Sequence, residues 1–162
     1  MNNLLRTPFL DAEALKQAVV EAVKEVVQAR IDAAQTAMQA AQASANEETK
    51  SSAGDKYETG RAMSQRDRDM FAQQLQQAQQ EMALVARLSN TQHNPEIVTA
   101  GALVKTSDGY FWLGISAGKT EIEDKIIWAV SPQSPVGKLL MDRKVGDTME
   151  WAGKKSRIED IS

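Results

Sequence analysis

The chain has 162 residues, of which 42% are hydrophobic and 25% charged, a composition that suits one ordinary folded domain or two small ones. Its net charge of −3 divides into −2 over residues 1–90 and −1 over residues 91–162, so neither half carries the cationic excess that phosphate-backbone binding needs. The absence of Cys excludes disulfides, thiolate nucleophiles and Cys-ligated zinc.

The first residues, Met1-Asn2-Asn3-Leu4-Leu5-Arg6, lack the charged start and apolar run of a signal peptide. Nowhere do 18 apolar residues follow one another, so no membrane span is expected and a cytoplasmic location is. From Asp11 the sequence takes up a heptad-like rhythm. Ala12, Leu15, Val19, Ala22, Val26, Ala29, Ala33 and Ala40 follow steps of three and four, with Thr36 in the polar slot. Val20, Val23, Val27 and Ile31 widen the stripe in its first half. Towards Ala45 the seam thins to Ala, which permits close helix approach but buries little area per residue.

Asn46 to Gly54 is polar and interrupts the seam, and a second helix is expected to start near Asp55. Asp55 and Glu58, spaced D-x-x-E, form a capping box that satisfies free N–H groups at a helix start. The same spacing puts two carboxylates within one turn at an exposed end. They can share a Mg²⁺ ion only if outside ligands complete its shell. Phe71, Leu75, Ala78, Met82 and Val85 restore the seam on the way back, while Arg61, Arg66, Asp67, Arg68 and Asp69 read as a solvated face. Ser89 to Pro95 reads as a linker, and His93, the only His, as a surface residue within it.

From Ile97 the period becomes strand-like. Residues 97–106 and 110–116 flank a hairpin turn at Ser107-Asp108-Gly109, with Gly at a position of positive φ. Residues 125–131, 148–151 and 155–161 read as further strands, and Ser134 as the cap of a short helix with Pro135 at its first position. Tyr110, Phe111, Trp112, Trp128 and Trp151 read as the core or one face of the resulting sheet, with a ligand pocket as the alternative. No Ser-His-Asp constellation or phosphate loop is present.

Two stretches together resemble the Gre transcript-cleavage factors, elongation factors of bacterial RNA polymerase. Ser131-Pro132-Gln133-Ser134-Pro135-Val136-Gly137-Lys138-Leu139-Leu140, followed by Lys144-Val145-Gly146-Asp147, is similar to the family's S-x-x-S-P-[LIV]-G-[KR]-x-L…G-D signature. Gly101-Ala102-Leu103-Val104 resembles the strand that opens that domain, and Gly54-Asp55-Lys56-Tyr57-Glu58 matches the family's tip motif at its glycine and first two acidic positions. The chain departs from the motif at Arg61 and Ala62, where the family has Glu and Tyr.

The resemblance implies an α+β fold. An N-terminal antiparallel coiled-coil hairpin (residues 1–90, tip near 46–60) would be joined by a linker (91–96) to a small FKBP-like antiparallel sheet domain with one short helix (97–162). It implies a monomer that is not itself an enzyme and does not bind specific nucleic-acid sequences. Its partner would be RNA polymerase, whose secondary channel the tip enters to stimulate cleavage of backtracked RNA. Asp55 and Glu58 would then assist catalysis and share Mg²⁺ held mainly by the polymerase, and Ser134, Pro135, Gly137 and Lys138 would contact the partner. Arg61 motivates an alternative, a channel-occupying regulator without cleavage stimulation. A structural or chaperone-like helical hairpin is the third reading.

Overall fold

A computed structural model describes residues 10–48 and 54–162, the side chains of residues 48 and 54–57 excepted. The architecture is α+β: two long helices, then a six-stranded mixed sheet with one short helix. Helix α1 spans Ala12–Glu48 and α2 spans Gly54–Ser89. At 37 and 36 residues each runs for about 55 Å. The chain divides into two compact units, residues 25–83 and residues 10–24 with 84–162.

In the unit of residues 25–83 the two helices form a hairpin with a narrow seam. The seam on α1 runs through Val27, Ile31, Ala34, Met38, Ala41 and Ala45, alternating by four and three, with Ala37 half-buried beside it. This corrects the expected register. The seam through Val26, Ala29, Ala33 and Ala40 is exposed, and the true one lies one residue further along. Both registers offer apolar residues at the same spacing. The one that buries Val27, Ile31 and Met38 removes more area from water, and it prevails. On α2 the expected seam holds, with Ala78 buried and Phe71, Leu75 and Met82 half-buried. Nearer the tip it continues through Gly60 and Ser64. Arg30 and Glu81 clasp the helices with an N–O distance of 2.8 Å.

The second unit holds the sheet. Its strands are β1 (Leu103–Thr106), β2 (Gly109–Leu113), β3 (Gly118–Ile122), β4 (Lys125–Val130), β5 (Thr148–Trp151) and β6 (Lys154–Ile161), in the order β3-β4-β2-β1-β6-β5. Helix α3, Pro135–Leu140, lies between β4 and β5 in the chain. The pairing is mainly antiparallel, as expected, with one parallel pair, β2 with β4. Strand β3 was not anticipated, and its presence explains the parallel pair. It forms a hairpin with β4 along one edge, so that β4 returns parallel to β2. Its sequence Gly-Lys-Thr-Glu-Ile carries a single large apolar residue, as suits an exposed edge. Its turn, Glu123-Asp124, takes positive φ without a glycine to announce it.

Residues 97–102, expected as strand, instead form turns with one isolated bridge from Ile97 to Lys144. Gly101 sits there at φ +89°, a conformation that L side chains rarely adopt. On one face of the sheet, Val104, Phe111, Leu113 and Ile158 pack with Val136 and Leu140 of α3 and Met149 of β5. Leu103, Trp112, Ile127 and Ala129, next to these in the alternating strands, are buried on the other face. In the same unit Leu15, Val19, Val20 and Val23 of α1 and Val85 and Leu88 of α2 are also buried. The backbone N–H of Leu10 donates to the Glu123 carboxylate at 3.0 Å.

Candidate functional sites

Residues 49–53, the middle of the anticipated tip, lie outside the described residues, as does the Asp55 side chain. The flanking backbone is helical. Helix α1 continues through Asn46 and Glu47, and α2 is already formed at Gly54. Asp55 therefore occupies the first turn of α2. Glu58 follows three residues later and its side chain is exposed. Arg61, three residues on, is exposed as well. Three charged positions at i, i+3 and i+6 thus follow one another near the start of α2.

The donor set suits a hard cation, but two carboxylates supply only part of the six oxygens that Mg²⁺ takes. Among the described residues no group of three or more His, Asp or Glu is close enough to hold a metal ion.

The turn from Ser131 to Lys138 is described in full. Ser134 caps α3, its Oγ accepting from the Gly137 N–H at 3.1 Å and donating to the Ser131 carbonyl at 2.6 Å. Pro135 takes the first helical position, as its sequence position implied. Gly137 has a steric reason. A Cβ there would lie 2.0 Å from the Ser131 carbonyl oxygen and 2.9 Å from Pro132 Cα, both backbone atoms that have no easy way to yield. The motif therefore divides in two. Ser134 and Gly137 hold the turn together, whereas Pro135 and Lys138 are exposed and available to a partner.

Two further features stand out, one not expected from the sequence and one that corresponds to its alternative reading of the aromatic cluster. The first surrounds His93, which is not the surface residue expected. Its ring rests against Gly101, where a Cβ would come within 2.6 Å of Cε1, and its Nε2 is buried without a hydrogen-bond partner. Nδ1 lies 3.5 Å from Thr99 Oγ1. Burial, and secondarily the Lys16 ammonium, hold His93 below its ordinary value, while the backbone of Leu88 pulls the other way. Lys16 is itself held below 10.5 by burial, against the pull of Glu13. Both line a cavity of 740 Å³ together with Gln17, Lys24 and Gln92. A lone His in a polar stretch gives no signal of this. The cue was Gly101, which leaves room for the ring.

The second feature comes from the aromatic cluster, which the pleat splits. Trp112 is fully buried. Its neighbour Phe111 faces the other way and pairs with Trp128, which is 43% exposed. Trp151 on β5 is 42% exposed. Phe111, Trp128, Val130, Val136, Met149 and Trp151 line a groove of 490 Å³. Trp112 and Phe111 are thus core, as expected, and Phe111, Trp128 and Trp151 line the groove, from which Tyr110 is absent.

No helix is long and apolar enough among the described residues to cross a membrane. Compared with protein-family models, curated proteins and solved structures, the chain gives no significant match.

Proposed function

We propose that the protein is a transcription factor of the Gre type, which docks its sheet domain on bacterial RNA polymerase and inserts the helical hairpin into the secondary channel. On this reading the hairpin is a coiled coil, the sheet domain is FKBP-like and the protein works in the cytoplasm. The observation that carries the reading is one long helical hairpin with Asp55 and Glu58 at the start of its return helix, joined to a domain with the Ser134-Pro135-Val136-Gly137 turn. The slim Ala seam supports a role as a probe, since small residues keep the distal arms thin.

On this reading the chain brings two further carboxylates, Asp55 and Glu58, to the polymerase site. Mg²⁺, held mainly by the polymerase, would supply Lewis-acid activation of water and of the scissile phosphate. Asp55 and Glu58 would add negative charge and oxygen donors, orienting the ion's water and accepting its proton. The hydrolysis belongs to the polymerase, and this chain is not itself an enzyme. Asp55→Ala and Glu58→Ala are expected to abolish stimulated cleavage while retention on immobilised polymerase persists. Variants that cleave as well as wild type would sink the mechanism.

Exposed Arg61 favours a second reading, a channel-occupying regulator that binds without promoting cleavage. Its guanidinium, one turn beyond Glu58, sets a positive charge where the family motif has a carboxylate. On that reading Arg61→Glu creates or raises cleavage, and an unchanged rate removes Arg61 as the cause.

A further inference from the structure

The groove between the two half-exposed tryptophans has none of Asp55, Glu58, Pro135 and Lys138 in its lining, though Val136 of α3 is part of it. We propose that it docks a short, extended segment of a protein partner in which large apolar residues are flanked by Asp or Glu. This goes beyond the polymerase reading and does not rest on it.

The groove has an apolar floor of Phe111, Val136 and Met149, with Trp128 and Trp151 as its walls. At 490 Å³ it falls within the range of about 300–1,000 Å³ typical of ligand pockets. Two indoles left more than two-fifths exposed beside a formed core are what a recognition surface keeps available.

The strand register supplies the charge. Lys119 of β3 lies directly across from Trp128, and Lys154 of β6 directly across from Trp151. Residues opposite each other in an antiparallel pair share a face, so each tryptophan has a lysine as its same-face neighbour. Neither lysine makes an ion pair among the described residues. Asp108 is the one carboxylate in the lining, and it accepts a hydrogen bond from the Ser156 hydroxyl. Glu121 lies two residues along β3 from Lys119, across from Ile126. Two unpaired ammonium groups flanking an apolar trough call for a segment with acidic ends and an apolar middle. An extended segment fits because β5 ends the sheet, its outer edge paired with no strand among the described residues.

The test is a selection from a library of random nine-residue peptides on the immobilised full chain. The peptides enriched are then labelled with fluorescein and titrated against wild type, Trp151→Ser and the double variant Lys119→Glu/Lys154→Glu. Enriched peptides should combine Leu, Phe or Trp with flanking Asp or Glu. Their affinity should fall about tenfold or more in Trp151→Ser, as for a central aromatic anchor. It should also fall in the double variant and with rising salt. Near-UV circular dichroism from buried Trp112 reports whether each variant is folded. If Trp151→Ser unfolds, the double variant decides alone, because both lysines are exposed. Enrichment of basic or proline-rich peptides, no enrichment above background, or equal binding by the variants overturns the proposal. So does sedimentation showing that the groove is instead closed by a second copy of the chain.

Discussion

The distal hairpin and the sheet domain solve the problem of burial in opposite ways. The hairpin of residues 25–83 buries Val27 and then only Ala34, Ala41, Ala45 and Ala78 along a narrow seam. The sheet domain buries Trp112, Leu103, Leu113, Ile127, Leu140 and Ile158, each almost completely. At about 25 cal/mol per Å² of apolar surface, the first gains little per residue and the second gains much. Stability is thus concentrated in the sheet domain, and the hairpin trades it for slenderness. The same contrast shows in the surface. The hairpin leaves Met63 and Met70 exposed off its seam, whereas the sheet domain exposes Trp128 and Trp151 beside a formed groove.

The largest test of this contrast is in the sheet core. Trp112→Ala is expected to cost about 3–5 kcal/mol in chemical denaturation, because a fully buried ring leaves a cavity. A loss under about 1 kcal/mol would mean that the domain is not held by this core. Gly137→Ala should follow at about 1–3 kcal/mol, since its Cβ meets the Ser131 carbonyl. In the hairpin, Ala41→Gly should cost about 1 kcal/mol, mostly in helix propensity. A cost as large as that of Trp112→Ala would erase the distinction between the regions. The Arg30–Glu81 pair, with side chains 41% and 22% exposed, should couple by only about 0.2–1 kcal/mol in a double-mutant cycle.

The smallest effect expected is one of pH. The His93 value is lowered in the folded protein, so below about 6.5 the unfolded chain binds more protons than the folded one. Stability is therefore complete above that pH and falls as pH drops through it. The melting temperature should decline from about pH 7 to pH 5, and His93→Gln should flatten that slope. An identical slope in the variant would show that His93 is not the group responsible.

Much of the fold was legible because periodicity reports burial. The two long helices, the Ser134 cap, the turn at Gly109 and five of the six strands follow from patterns of three, four and two. The misses share a cause, which is that small or polar residues leave periodicity ambiguous. Ala at 29, 33 and 40 is compatible with either face of a helix, so the seam register was settled only by Val27, Ile31 and Met38. Strand β3 is polar because it lies on an edge, and the turn after it lacks glycine. His93 and the Trp128–Trp151 groove depend on residues brought together from distant parts of the chain, which no local pattern encodes. The tip carboxylates were visible as a spacing, but the helix already formed at Gly54 puts Asp55 inside its first turn and not at the N-cap that the expected capping box needs.

The most direct measurement places the purified protein with a stalled, backtracked bacterial elongation complex carrying end-labelled RNA and Mg²⁺. The account predicts that the RNA shortens faster with the protein than without it, and that the gain disappears in Glu58→Ala. RNA that stays unchanged while the protein is bound to the polymerase would contradict cleavage stimulation and leave the channel-occupying reading in its place.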